Sequence, residues 1–154
     1  LTEEVDTLEL YLKLEHLRFQ DKFDYDFYTD ETLLNDEYAM PPMLIQPFIE
    51  NAIWHGIRYK EGKGKLVVKL LAENDGLKMV IEDNGIGRKQ SKALKTENQS
   101  QQKSTGLKNT RDRIALINDI YKRKIRLTIT DLEGEVTGTR VEVFLPKSLM
   151  LQPC

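Results

Sequence analysis

Gly76-Leu-Lys-Met-Val-Ile-Glu-Asp83-Asn-Gly85-Ile-Gly87-Arg88 runs a hydrophobic stretch, Leu77 to Ile81, straight into an acidic pair and two closely spaced glycines. The apolar run reads as a strand. Before it, a second run from Lys65 to Ala72 is joined to it by Asn74-Asp75-Gly76, whose tolerance of positive φ suits a hairpin turn. After it, residues 88–104 are almost entirely polar, with Gln, Lys, Ser, Asn and Thr dominating, and read as a mobile loop. Apolar Leu107, Ile114, Leu116, Ile117 and Ile120 then predict a helix over Gly106 to Tyr121. Strands at Ile125 to Thr130 and Thr139 to Leu145 follow, stopped by Pro146.

Upstream, Pro41-Pro42 announces a helix, since proline is tolerated in a first turn. Its apolar positions are Leu44, Ile45, Phe48, Ile49, Ala52, Ile53 and Ile57, with Gly56 near the end. Before that, Phe23, Tyr25 and Phe27 alternate with Asp24, Asp26 and Tyr28, a strand of period two. The opening stretch to about Phe19 has Val5, Leu8, Leu12 and Phe19 at helical spacing, with Leu10, Leu14 and Leu17 interleaved. A helix that is apolar on more than one side wants a neighbour, a partner helix or chain upstream of Leu1. The order is helix, strand, helix, strand pair, long loop, helix, strand pair. It predicts an α+β fold, a two-layer α/β sandwich with a mixed sheet and its helices on one face.

The 154 residues and 40% hydrophobic content suit one domain with a real core. A formal charge of -2 gives no overall positive field for nucleic acid or anionic lipid. The distribution is uneven: residues 1–40 hold 12 acids and 3 bases, whereas residues 103–126 hold 8 bases and 2 acids. The basic stretch is either a solvated face or a surface for a compact polyanion such as a nucleotide. The single cysteine, Cys154, excludes an intrachain disulfide and fits a reducing compartment. No apolar run approaches the roughly 18 to 20 residues that span a bilayer. Opening on Leu1 rather than Met, the sequence is expected to be a piece of a longer protein.

Three segments hold polar groups the fold alone does not require. In Pro47-Phe-Ile-Glu50-Asn51-Ala-Ile-Trp54-His55-Gly56, Asn51 flanks the apolar stripe in line with Pro47 and His55, while Glu50 points roughly 100° away. Asn51 either bridges backbone groups or offers magnesium a hard oxygen ligand. At the strand end, a buried Asp83 needs a hydrogen-bond donor, and the exocyclic amine of an adenine would serve. A tight hairpin with an exposed Asp explains the same residues without a ligand. The pattern is not a Walker A loop, nor a Rossmann fingerprint, since Gln90 stands where its third glycine belongs. Finally, Ser104-Thr-Gly106-Leu107-Lys108-Asn109-Thr-Arg111 opens a helix, either capped by Ser104 or Thr105 or receiving phosphate, with Lys108 and Arg111 adding charge.

In this order, a Glu-Asn-Ala helix, a strand ending Asp-x-Gly-x-Gly, a polar loop and a Gly-Leu-x-Asn helix resemble the N, G1 and G2 boxes of the GHKL (Bergerat-fold) ATP-binding family. Within it, Gln46-Pro47 before Glu50-Asn51-Ala52, Leu-Arg-Phe-Gln-Asp-Lys-Phe ending at Phe23, and Gly138-Thr139 leading to Leu145-Pro146 resemble the LytS type of bacterial sensor histidine kinase. The resemblance implies ATP and Mg2+ as cofactors, with Asn51 as the magnesium ligand and, with Glu50, the catalytic position. Asp83 would anchor adenine, Gly85 and Gly87 would leave room under the nucleotide, and His55 would stack near the base. Gly106, Leu107 and Lys108 would meet phosphate, Asn109 and Thr139 would be secondary contacts, and residues 88–105 would form the ATP lid. Residues 1–20 would end a dimerisation and phosphoacceptor region, 21–149 would be the catalytic domain and 150–154 a tail.

The implied function is γ-phosphate transfer to a histidine outside these residues. The partners would be the protein's own upstream helices, in a homodimer, and a response regulator. The place would be the cytoplasmic side of a membrane-anchored sensor. Departures bear on the alternatives. Hydrolysing relatives carry a water-activating glutamate where Pro47 stands, which counts against an ATP hydrolase. Trp54 replaces a lysine that many histidine kinases place near phosphate, which leaves a degenerate nucleotide sensor as the other alternative. The family's phosphoacceptor motif is absent, and His16 and His55 are the only histidines.

Overall fold

The computed structural model describes residues 1–20, 22–34, 40–74, 76–88, 109–120 and 124–147. Helix α1 covers Thr2–Arg18 and strand β1 Phe23–Thr29. Helix α2, Gln46–Asn51, widens into a π-helical turn at Ala52–Gly56 and tightens into a 3-10 turn at Ile57–Tyr59. Strands β2, Gly64–Glu73, and β3, Gly76–Asp83, form a hairpin. Helix α3 runs over 109–120, and β4, Arg126–Leu132, and β5, Gly138–Pro146, complete the fold.

The sheet order is β1-β2-β3-β5-β4, with β1 parallel to β2 and every other pair antiparallel. The sheet is therefore mixed, as expected. Alternation decides its two faces. Leu66, Val68 and Leu70 of β2, Leu77, Met79 and Ile81 of β3, and Val141, Val143 and Leu145 of β5 are all buried. They pack in one cluster with Val5, Leu8 and Leu12 of α1, Phe48 and Ile49 of α2, Ile53 of the π turn and Ile114 of α3. The opposite face carries cross-strand ion pairs, Lys65 with Asp26 at 2.9 Å and Arg140 with Glu82 at 2.6 Å. Helices on one face and solvated charge on the other make the two-layer sandwich.

Two local expectations change. Pro41-Pro42 does not open the second helix: Met43 turns the chain at φ +56, and the helix begins at Gln46 with Pro47 in its first turn. Tandem prolines push the preceding backbone toward extended conformations, so a separate turn must start the helix. On α3, Ile114 is buried, but Leu116 and Ile120 face outward at 58% and 63% exposure. The expected lid lies, apart from Arg88, outside the described residues, as do Gly106, Leu107 and Lys108. Among the described residues no helix is long and apolar enough to cross a membrane.

Candidate functional site

Asp83 is the last residue of β3, and strand alternation decides where it points. It follows Leu77, Met79 and Ile81 in phase, so its carboxyl enters the layer between sheet and helices and is only 4% exposed. Leu66 of β2 and Thr139 of β5 flank it in the sheet register, and Thr139 is also buried. One oxygen, Oδ1, accepts the Gly85 N–H at 2.9 Å. Burial raises the Asp83 carboxyl to about 7; the Gly85 amide works against that rise and the neighbouring Glu82 charge adds to it.

The π turn presses on the same carboxyl from the helix layer. A Cβ on Gly56 would lie 2.7 Å from Asp83 Oδ1, and one on Gly85 would lie 2.2 Å from the Gly56 backbone. Neither position admits a side chain without displacement. The missing Cβ of Gly85 thus makes room for protein backbone. Ile86 N–H donates to the Gly56 carbonyl at 3.2 Å, fastening the loop after β3 to the helix that carries Asn51. Asn51 closes that helix, half-buried, and His55 is half-buried on the turn that follows. Asp83, Gly85 and Thr139 therefore come together at one sheet end, with Asn51 and His55 on the segment packed against it.

No family model matches the chain. YwpD of Bacillus subtilis, an uncharacterized protein, is 34% identical over 113 residues, which are 72% of this chain and 39% of YwpD. The sensor protein LytS of Oceanobacillus iheyensis is 30% identical over 154 residues, covering 95% of this chain and 25% of that protein. The catalytic domain of the histidine kinase ThkA shares the fold at a TM-score of 0.60 over 95% of this chain and 93% of that domain, with 14% identity. The chain is a GHKL-type domain of the LytS-like sensor kinases. It spans less than half the length of either relative.

The other candidate residues of this LytS-like domain are placed as follows. Gly87 adopts φ +83 just before Arg88, whose guanidinium makes two bonds to Asp131 of β4, at 2.7 and 2.9 Å. The hydrogen bonds to Asp131 push the Arg88 guanidinium pKa above its ordinary value. Glu50 accepts from Gln46 Nε2 at 3.1 Å on its own helix. Asn109 is exposed at the start of the described part of α3, beside buried Thr110.

Sequence reasoning missed Gly56, the Arg88–Asp131 pair and Thr137, whose hydroxyl donates to the Gly85 carbonyl at 2.8 Å. Gly56 reads as an ordinary helix end, because nothing in the local sequence says that a later loop will pack on it. Asn84 is structural: its Oδ1 accepts the Lys65 N–H at 2.6 Å. Among the described residues no cluster of three His, Cys, Asp or Glu side chains offers a self-sufficient metal site. A donor set with a single protein amide suits magnesium, which keeps waters and takes phosphate oxygens for the rest.

Proposed function

We propose that this LytS-like domain binds Mg-ATP and donates the γ-phosphate to a histidine outside these 154 residues, feeding a response regulator. The observation that carries the reading is Asp83, a carboxyl buried at the end of an otherwise apolar strand and enclosed by Gly56, Gly85 and Thr139. With Gly85 on Oδ1, the carboxyl has acceptor capacity left for the exocyclic amine of adenine. A nucleotide amine there would offset part of the cost of burial.

Thr139 flanks the base on this reading, and His55 lies at its edge. Asn51 supplies an oxygen to magnesium, and Glu50 is kept as a neighbouring catalytic position. Gly87 lets backbone approach the nucleotide, whereas the space at Gly85 is taken by the Gly56 backbone. Gly106, Leu107 and Lys108 meet the phosphates where the 88–105 lid ends, and Asn109 is a secondary contact. Magnesium, when bound, neutralises phosphate charge and fixes the orientation of the chain of phosphates.

Transfer breaks the P–O bond between the β and γ groups, forms a P–N bond to an imidazole nitrogen, and releases ADP carrying the bridging oxygen. The ring proton leaves to solvent or a nearby base. The protein's part is positioning and charge stabilisation. Pro47, in the first turn of α2, supplies no carboxylate to activate water, which favours transfer over hydrolysis. His16 meets the rings of Phe23 and Tyr25 edge-on, with centroids 5.5 and 5.6 Å away, which favours an acceptor elsewhere. Residues 1–20 then end the helical dimerisation region of a homodimeric, membrane-anchored sensor, and 21–149 are its cytoplasmic catalytic domain.

The test is labelling with γ-32P ATP. The chain alone is expected to remain unlabelled, and the parent protein's acceptor helix, added in trans, is expected to gain acid-labile phosphate. Acid-labile phosphate on His16 of the chain alone would move the acceptor into the fragment and overturn the assignment.

A further inference from the structure

Trp54 is the third residue of the π turn between Asn51 and Gly56, and it faces α1. Its indole meets the Phe19 ring edge-on, with centroids 5.1 Å apart and planes at 79°. The Arg18 guanidinium lies 4.6 Å from the indole centroid, and Arg58 lies 5.3 Å from it. Two positions at the C-terminal end of the α1 segment, Arg18 and Phe19, thus converge on one indole.

The same five-residue turn touches the nucleotide site at both of its ends. Asn51 immediately precedes it, and Gly56, its last residue, packs on Asp83 and Gly85 and accepts the Ile86 N–H. A π turn inside a helix is wider than its neighbours and costs regular hydrogen bonding, so it persists where surrounding contacts hold it. Here those contacts come from α1 through Trp54 and from the Asp83 loop through Gly56. A shift of α1 against the indole must move the turn. Because the turn is pinned to Asp83 at Gly56, the shift reaches both the proposed magnesium ligand and the proposed adenine anchor.

We propose that Trp54 is a positioning residue through which α1 sets nucleotide affinity: α1 seated on the indole holds Asn51 and Gly56 in the arrangement that binds Mg-ATP. The inference rests on the Mg-ATP reading above. Its consequence is reciprocal, since whatever docking of α1 does for nucleotide, nucleotide must do for docking of α1. Trp54 would then stand as a mechanical contact where other kinases carry a phosphate-facing lysine.

The experiment uses the 154-residue chain, with Phe19→Ala and Arg18→Gln on the α1 side and Trp54→Phe on the turn. Calorimetric Kd for Mg-ATP is expected to rise about 5- to 20-fold in Phe19→Ala, within the usual span of coupling between sites. Combining Phe19→Ala with Trp54→Phe is expected to add less than the two single effects together. Mg-ATP is expected to slow amide exchange in residues 11–18 of the parent chain and to leave it unchanged in Trp54→Ala.

Arg18→Gln removes the cation over the indole and keeps both rings, so it decides the matter if Phe19→Ala unfolds. A Kd within twofold of the parent in every folded α1-side variant overturns the inference, and so does α1 exchange that ignores nucleotide. A parent chain that binds no ATP takes the underlying reading down as well, which separates the two failures.

Discussion

Asp83 places a carboxyl in a layer otherwise filled by Leu66, Ile81 and Val141, and that choice has a measurable signature. Its folded value of about 7 stands above the ordinary 3.8. Between those values the folded chain binds more protons than the unfolded one, so stability falls as pH rises from about 4 to about 7 and then levels. Asp83→Asn keeps an oxygen for the Gly85 N–H and removes the charge. It is expected to flatten this slope, to add on the order of 2 to 4 kcal/mol at pH 8, and to abolish ATP binding. Urea denaturation of both chains at pH 4 and pH 8 checks the first two; parallel profiles would contradict them. Gly56→Ala, with its Cβ forced against Asp83 Oδ1, is expected to cost about 1 to 3 kcal/mol and to weaken ATP binding. Asp83 was legible from the paired glycines that follow an apolar strand, and Thr139 only through the family resemblance; the structure adds that both continue the buried phase of their strands. Gly56 was not legible, because the loop that needs its missing Cβ is distant in sequence.

At the scale of elements, α1 shows what periodicity settles and what it leaves open. Val5, Leu8 and Leu12 make one apolar stripe, and Leu10, Leu14 and Leu17 make another of equally good helical spacing. Only packing separates them: Leu12 is fully buried, while Leu10, Leu14 and Leu17 are 58%, 56% and 73% exposed. Leu12→Ala is expected to cost about 2 to 5 kcal/mol and Leu14→Ala less than about 0.5. Comparable losses from the two in chemical denaturation would show that the second stripe is covered in the isolated chain. Helix α2 shows the converse limit. Its apolar positions were legible, yet its start at Gln46 and its π turn were not, since a change from i+4 to i+5 hydrogen bonding leaves no mark on which residues are apolar.

For the molecule as a whole, alternation in β1 and apolar runs in the other four identified five strands, and the Asn74-Asp75-Gly76 turn paired β2 with β3, but nothing local gave the place of β1 in the sheet. The long connection through α2 returns the chain beside β1 in parallel, a pairing no local pattern encodes. The acidic excess of the first 40 residues is partly matched on the outer sheet face, where Asp24 meets Lys63 at 3.0 Å and Asp26 meets Lys65 at 2.9 Å. Such exposed pairs contribute about 0 to 1 kcal/mol each, so they shape the surface more than they hold the fold. On the proposed reading, Asn51 and Asp83 serve one nucleotide from two segments that pack together at Gly56, and calorimetric titration of ATP with and without magnesium tests that most directly. The parent chain is expected to bind Mg-ATP more tightly than metal-free ATP, and Asn51→Ala is expected to lose most of the magnesium-dependent gain while keeping metal-free binding. Equal weakening of both forms in Asn51→Ala, or no binding by the parent chain, would contradict it.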